Sequence, residues 1–171
     1  MKGYIQVYTG KGKGKTTAAL GLALRAAGAG LTVFIAQFVK AGHYSEIGAL
    51  RKLAPHITIR QYGTGRFIGR EPDAELIRAT RKGFEEVRDE LTAGTYDVII
   101  LDEANIATSC NIISVDILME LIDTKPDAVE LVITGRGADP RVVARADLVT
   151  EMMEIKHYFR EGVRARDGIE K

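Results

Sequence analysis

Nine residues near the start, Thr9-Gly10-Lys11-Gly12-Lys13-Gly14-Lys15-Thr16-Thr17, constrain this chain more than any others. They stand between a short apolar run at residues 4–8 and an Ala/Leu-rich run at residues 16–27, which Gly28 and Gly30 are placed to end. Glycines let the backbone curl so that successive N–H groups point inward, a following helix adds its positive end, and lysine neutralises phosphate charge. The segment is therefore read as a phosphate-binding loop. It is a variant: against G-x-x-x-x-G-K-[ST], Thr9 stands where the first glycine belongs and Gly10 follows one place later. A strand before it, Gly-Lys-Thr-Thr at its end and a helix after it together argue against a merely flexible turn.

The rest of the chain fits that frame. Short β-branched runs at residues 4–8, 32–38, 57–61, 98–101, 131–134 and 148–149 alternate with helical patterns, the signature of βαβ units and a parallel sheet. The clearest helix falls at residues 73–91, where Leu76, Ile77, Phe84, Val87 and Leu91 form one face and charged residues the other. Ser114 reads as the N-cap of a helix over residues 115–122. Residues 63–69 form the one long irregular connection. With 171 residues and 46% hydrophobic content, residues 1–171 read as a single α/β domain. Lys and Arg number 24 against 23 Asp and Glu, so a general attraction to nucleic acid or anionic membrane is not expected and anion binding must be local. One cysteine, Cys110, rules out an internal disulfide framework, and no apolar leader or spanning segment is apparent. The expectation is a soluble, cytoplasmic protein.

Two further strand ends carry chemistry. Asp97-Val98-Ile99-Ile100-Leu101-Asp102-Glu103 is an apolar strand ending in two carboxylates. Beside a phosphate loop, such a strand delivers an acid that holds Mg²⁺ directly or through water, with Thr16 as the matching hydroxyl. Metal ligands are accordingly read as Thr16, Asp102 and Glu103; one of the acids could instead decorate the start of a helix. Leu131-Val132-Ile133-Thr134-Gly135-Arg136 places Arg136 just past another strand, where its guanidinium fork could meet a triphosphate or, more plainly, pair with Asp139. His43, His56 and His157 lack zinc spacing, and Cys110 reads as a packing residue.

Together these segments resemble the P-loop ATP:corrinoid adenosyltransferase family nearly end to end. Beyond the loop at residues 9–17, the likeness includes Gln37-Phe38-Val39-Lys40, Leu101-Asp102-Glu103, Thr134-Gly135-Arg136 and the tail, Ala146-Asp147-Leu148-Val149-Thr150-Glu151-Met152 through Gly162-Val163-Arg164-Ala165-Arg166-Asp167-Gly168-Ile169-Glu170. The off-consensus loop is the form this family uses. The resemblance implies a RecA-like P-loop fold with a largely parallel six-stranded sheet, strand order 3-2-4-5-1-6, flanked by helices. It implies transfer of the 5′-deoxyadenosyl group from ATP to the Co(I) of a reduced corrinoid (cobalamin, cobinamide or cobyrinic acid a,c-diamide), with release of triphosphate, in adenosylcobalamin biosynthesis or salvage.

On this reading Thr9, Gly10, Lys11, Gly12, Lys13, Gly14, Lys15, Thr16, Thr17 and Arg136 bind ATP with Mg²⁺, or Mn²⁺ in its place. Lys15, Thr16 and Glu103 carry catalysis, and Gln37, Phe38, Lys40 and Phe67 face the corrinoid. An electron donor reducing Co(II) and a homodimer are the implied partners. Relatives with an N-terminal extension cover the corrinoid with a helix; here cover is expected from elsewhere, or a more open site. Where better-studied relatives place an aromatic pair to displace the lower cobalt ligand, this chain offers Phe67 alone. A P-loop kinase or ATPase, or a non-catalytic corrinoid or nucleotide carrier, are the alternatives.

Overall fold

The computed structural model describes residues 2–42, 44–65 and 72–170. Six strands, β1 (Ile5–Thr9), β2 (Val33–Phe38), β3 (Ile57–Tyr62), β4 (Val98–Asp102), β5 (Glu130–Thr134) and β6 (Leu148–Glu151), form one sheet in the order β3-β2-β4-β5-β1-β6. Every pairing is parallel. The order is the one the family resemblance implied. The central strands β2 and β4 are buried at every residue, which is why they read as continuous apolar runs rather than alternating ones.

Helices cover both faces. On one, α1 (Lys15–Gly28) presents Ala19, Ala23 and Ala26 to Val33, Ile35, Val98, Ile100 and Val132; small side chains let it lie close to the sheet. On the other, α3 (Ala74–Ala93) buries Leu76, Phe84, Val87 and Leu91, after Asp73 accepts from the Leu76 N–H at 2.7 Å as its N-cap. Gly83 sits in this helix because a Cβ there would come within 2.4 Å of the Tyr62 ring. Beside α3 pack α4 (Ala104–Ser109), α5 (Val115–Thr124), capped by Ser114 as expected, and α6 (Pro140–Arg145). Two short helices were not foreseen, α2 (Ser45–Arg51) and α6: seven and six residues are too few to establish a helical period. No helix among the described residues is long and apolar enough to cross a membrane.

In a parallel sheet every strand ends on the same edge. The loops after β1, β2, β3, β4 and β5 therefore meet there, and ligands of open α/β sheets bind at that edge.

Candidate active site

The loop between β1 and α1 opens and closes on glycines in conformations that side chains rarely adopt: φ is 94° at Gly10 and 119° at Gly14. From outside, the segment after β6 clasps it. Met152 N–H donates to Thr9 O at 2.9 Å and Gly12 N–H to Met152 O at 2.7 Å. From the β5 side, Ala138 N–H donates to Thr9 Oγ1 at 3.3 Å.

Lys15 turns back into the curl, its Nζ donating to Gly10 O at 2.8 Å and Gly12 O at 2.7 Å. It is buried, and burial lowers its pKa, opposed in part by the charge of Glu103. Lys13 reaches outward: its Nζ lies 2.7 Å from Glu170 Oε1 and 3.1 Å from Tyr158 Oη. Arg166 also pairs with Glu170, at 3.2 Å, so the tail is fastened onto the loop by a cluster of four side chains.

Asp102, at the end of β4, is fully buried and is the hub of the site. Its Oδ1 accepts from Thr16 Oγ1 at 2.8 Å and Thr134 Oγ1 at 2.7 Å; its Oδ2 accepts from Lys40 Nζ at 2.8 Å and Gln37 Nε2 at 3.2 Å. Four donors thus occupy the acceptor capacity of one carboxylate. Glu103 follows with φ 63°, a left-handed conformation costly for a residue with a side chain, held by its N–H donating to Thr134 Oγ1 at 3.0 Å. Burial pushes its carboxyl above the usual range, with the Lys40 charge opposing.

The expected ATP and metal residues therefore converge: loop, Thr16, Asp102 and Glu103 share one edge. Arg136 is exposed on the turn after β5, and its charge is felt at both Lys15 and Glu103. Asp139, the plainer partner considered for it, instead caps α6 and pairs with Arg141 at 3.4 Å.

The segment read as corrinoid-facing divides. Phe38 is fully buried, its ring 5.7 Å from Tyr62 and 4.3 Å from Phe84, and Gln37 is fully buried between Asp102 and Gln61. Neither has a surface to offer a corrinoid, because β2 is an interior strand. Lys40 lies on Asp102 and Thr16 instead. Phe67 falls outside the described residues.

Sequence reading missed Thr134 and Gln37 as partners of Asp102. It also passed over Asn105, fully buried on α4, whose Nδ2 donates to Gly135 O at 3.3 Å and so pins the turn that carries Arg136. Only strand order brings these groups together.

The family model of the ATP:corrinoid adenosyltransferase BtuR/CobO/CobP matches residues 1–170. The chain is 33% identical to a corrinoid adenosyltransferase of Pseudomonas aeruginosa, over 99% of this chain and 84% of that one. It is 32% identical to one from Escherichia coli K12 and 34% to one from Salmonella typhimurium, each over 99% of this chain and 86% of the relative. Among solved structures, a KaiC-like protein from Pyrococcus horikoshii matches with a TM-score of 0.55 at 16% identity, over 91% of this chain and 75% of that one. That likeness speaks to the fold alone.

Proposed function

The chain belongs to the ATP:corrinoid adenosyltransferase family and is an enzyme of that kind with a RecA-like P-loop fold, and from that premise we propose that it moves the 5′-deoxyadenosyl group of ATP onto the cobalt of a reduced corrinoid and releases intact triphosphate. The observation that carries this reading is the state of Asp102. An ATPase or kinase of this fold asks a carboxylate to orient or deprotonate a nucleophile. Here both Asp102 oxygens are engaged by two hydroxyls, an amide and an ammonium, which holds this carboxylate as an orienting group rather than a base. Corrinoid alkylation needs no base. Co(I) brings its own electron pair to C5′, the Co–C bond forms as the C5′–O bond breaks, and the electrons of that bond leave on the triphosphate.

What the protein must supply is stabilisation of the leaving group. The loop N–H groups and the start of α1 face the phosphates, joined by Lys15 once its ammonium leaves the carbonyls of Gly10 and Gly12. Thr9, Gly10, Lys11, Gly12, Lys13, Gly14 and Thr17 shape the cradle, with Arg136 at its rim. The Thr16 hydroxyl and the carboxylates of Asp102 and Glu103 are hard oxygen donors suited to Mg²⁺ or Mn²⁺. Thr16 and Glu103 would hold the ion directly and Asp102 through water. Bound there, the ion supplies charge neutralisation on the triphosphate.

The corrinoid sits over the same sheet edge, where the turns after β2 and β3 touch: a Cβ on Gly63 would fall 2.6 Å from Lys40 O. Phe67, in the segment that follows, supplies apolar cover for the macrocycle. Gln37 acts from behind, by holding Asp102. The enzyme works as a cytoplasmic homodimer in adenosylcobalamin biosynthesis or salvage, taking electrons from a donor that reduces Co(II).

The test is anaerobic visible absorbance of chemically reduced cobalamin mixed with ATP. The wild-type chain should form the adenosylated product, and Lys15→Ala should lose ~2–4 kcal/mol of transition-state stabilisation, about 30- to 1,000-fold in kcat/KM. Activity of Lys15→Ala within threefold of wild type would sink the assignment.

A further inference from the structure

Lys40 belongs to no phosphate motif, yet its ammonium lies in the middle of the polar hub. Nζ stands 2.8 Å from Asp102 Oδ2, 3.0 Å from Thr16 Oγ1 and 3.9 Å from Glu103 Oε1. Those are the three residues assigned above to the divalent ion. Val39, a β-branched residue held at φ 65°, makes the turn out of β2 that precedes Lys40. The geometry has a clear electrostatic benefit, since Asp102 is wholly buried and a buried carboxylate without a cation is strongly disfavoured. It also has a consequence for metal binding. Two cations drawn to the same hydroxyl and carboxylates repel each other unless further negative charge arrives.

We infer that Lys40 is the resident cation of this site: its ammonium fills the divalent ion's place while the loop is empty, holds Asp102 and Thr16 in register, and excludes the ion until a polyphosphate brings the charge that lets both stay. Lys40 is thus a positioning residue that makes metal binding conditional on nucleotide. A free divalent ion would otherwise occupy Thr16 and Glu103 without a substrate to act on. The inference rests on the reading of the hub as the metal site.

The experiment is Mn²⁺ binding followed by electron paramagnetic resonance, with and without inorganic triphosphate, on wild type, Lys40→Arg and Lys40→Gln. Lys40→Met serves as a second uncharged variant should the glutamine disturb folding. Wild type and Lys40→Arg should take up Mn²⁺ appreciably only with triphosphate. Lys40→Gln should bind Mn²⁺ alone at least ~tenfold more tightly than wild type, the effect of removing a like charge at this range. Its melting temperature should rise on adding Mn²⁺ while that of wild type stays put. Uncharged variants that bind Mn²⁺ no more tightly than wild type would overturn the inference, as would Lys40→Arg behaving like them. Failure of wild type to take up Mn²⁺ even with triphosphate would instead contradict the metal-triphosphate reading, and the comparison without triphosphate would still decide the role of Lys40.

Discussion

Thr134 Oγ1 donates to Asp102 Oδ1 at 2.7 Å while accepting the Glu103 N–H at 3.0 Å, so a single hydroxyl on β5 sets the orientation of one carboxylate and the backbone of the next. Thr134 is itself fully buried. Replacing it with the isosteric Val strands the Glu103 N–H and takes a donor from Asp102. The expected cost is ~1–3 kcal/mol of stability, the penalty for a buried polar group left unpaired. Thr134→Ser should keep most of it. Chemical denaturation of the two variants checks this, and Val and Ser behaving alike would show that the hydroxyl carries no such role.

Glu103 gives the site a pH signature. Burial raises its carboxyl above the ordinary value of 4.5, so the folded chain holds a proton there that the unfolded chain has already released. Stability of the metal-free protein should therefore fall as pH rises from that ordinary value through the raised one. Glu103→Gln should remove this part of the slope. Urea midpoints in chelator across that window decide the matter; identical slopes in wild type and variant would mean that Glu103 does not titrate as described.

The tail holds the phosphate loop from outside. Glu170 takes both Lys13 and Arg166, and the Arg166 pair together with Lys13 and Tyr158 draws its carboxyl far below the usual range. Exposed pairs such as these contribute little to global stability. The expected effect of Lys13→Ala or Glu170→Gln is local: faster amide hydrogen exchange over residues 158–170 and at Gly12, whose N–H is bonded to Met152 O. Each single variant should show it, and the double variant should go little further. Additive effects would mean that the two residues act separately.

Much of this fold is legible in the sequence because its determinants are local. The six strand runs fall within two residues of the observed strands, and α3 follows from its apolar period and its Asp73 cap. The phosphate loop and Asp102-Glu103 are legible for the same reason. The partners of Asp102 are not, because pairing chooses them. Gln37 stands directly across from Asp102 in the β2–β4 register, and Leu101 opposite Ile133 places Thr134 beside Asp102 on β5. Without the strand order, a glutamine at residue 37 and a threonine at residue 134 are only polar residues ending apolar runs. The same reasoning moves Phe38 into the core, since an aromatic residue closing an interior strand under α3 faces Phe84 and Tyr62 rather than a ligand.

On the function proposed above, triphosphate leaves whole because Co(I) attacks C5′ and no carboxylate has to activate water at the γ-phosphate. Phosphorus-31 magnetic resonance of an anaerobic single turnover, with enzyme in excess over ATP and with reduced cobalamin present, reads this directly. One inorganic triphosphate should be released per adenosylated corrinoid, with no ADP formed. Adenosylated corrinoid accompanied by ADP and phosphate, or ATP cleavage at the same rate with the corrinoid left out, would contradict that function.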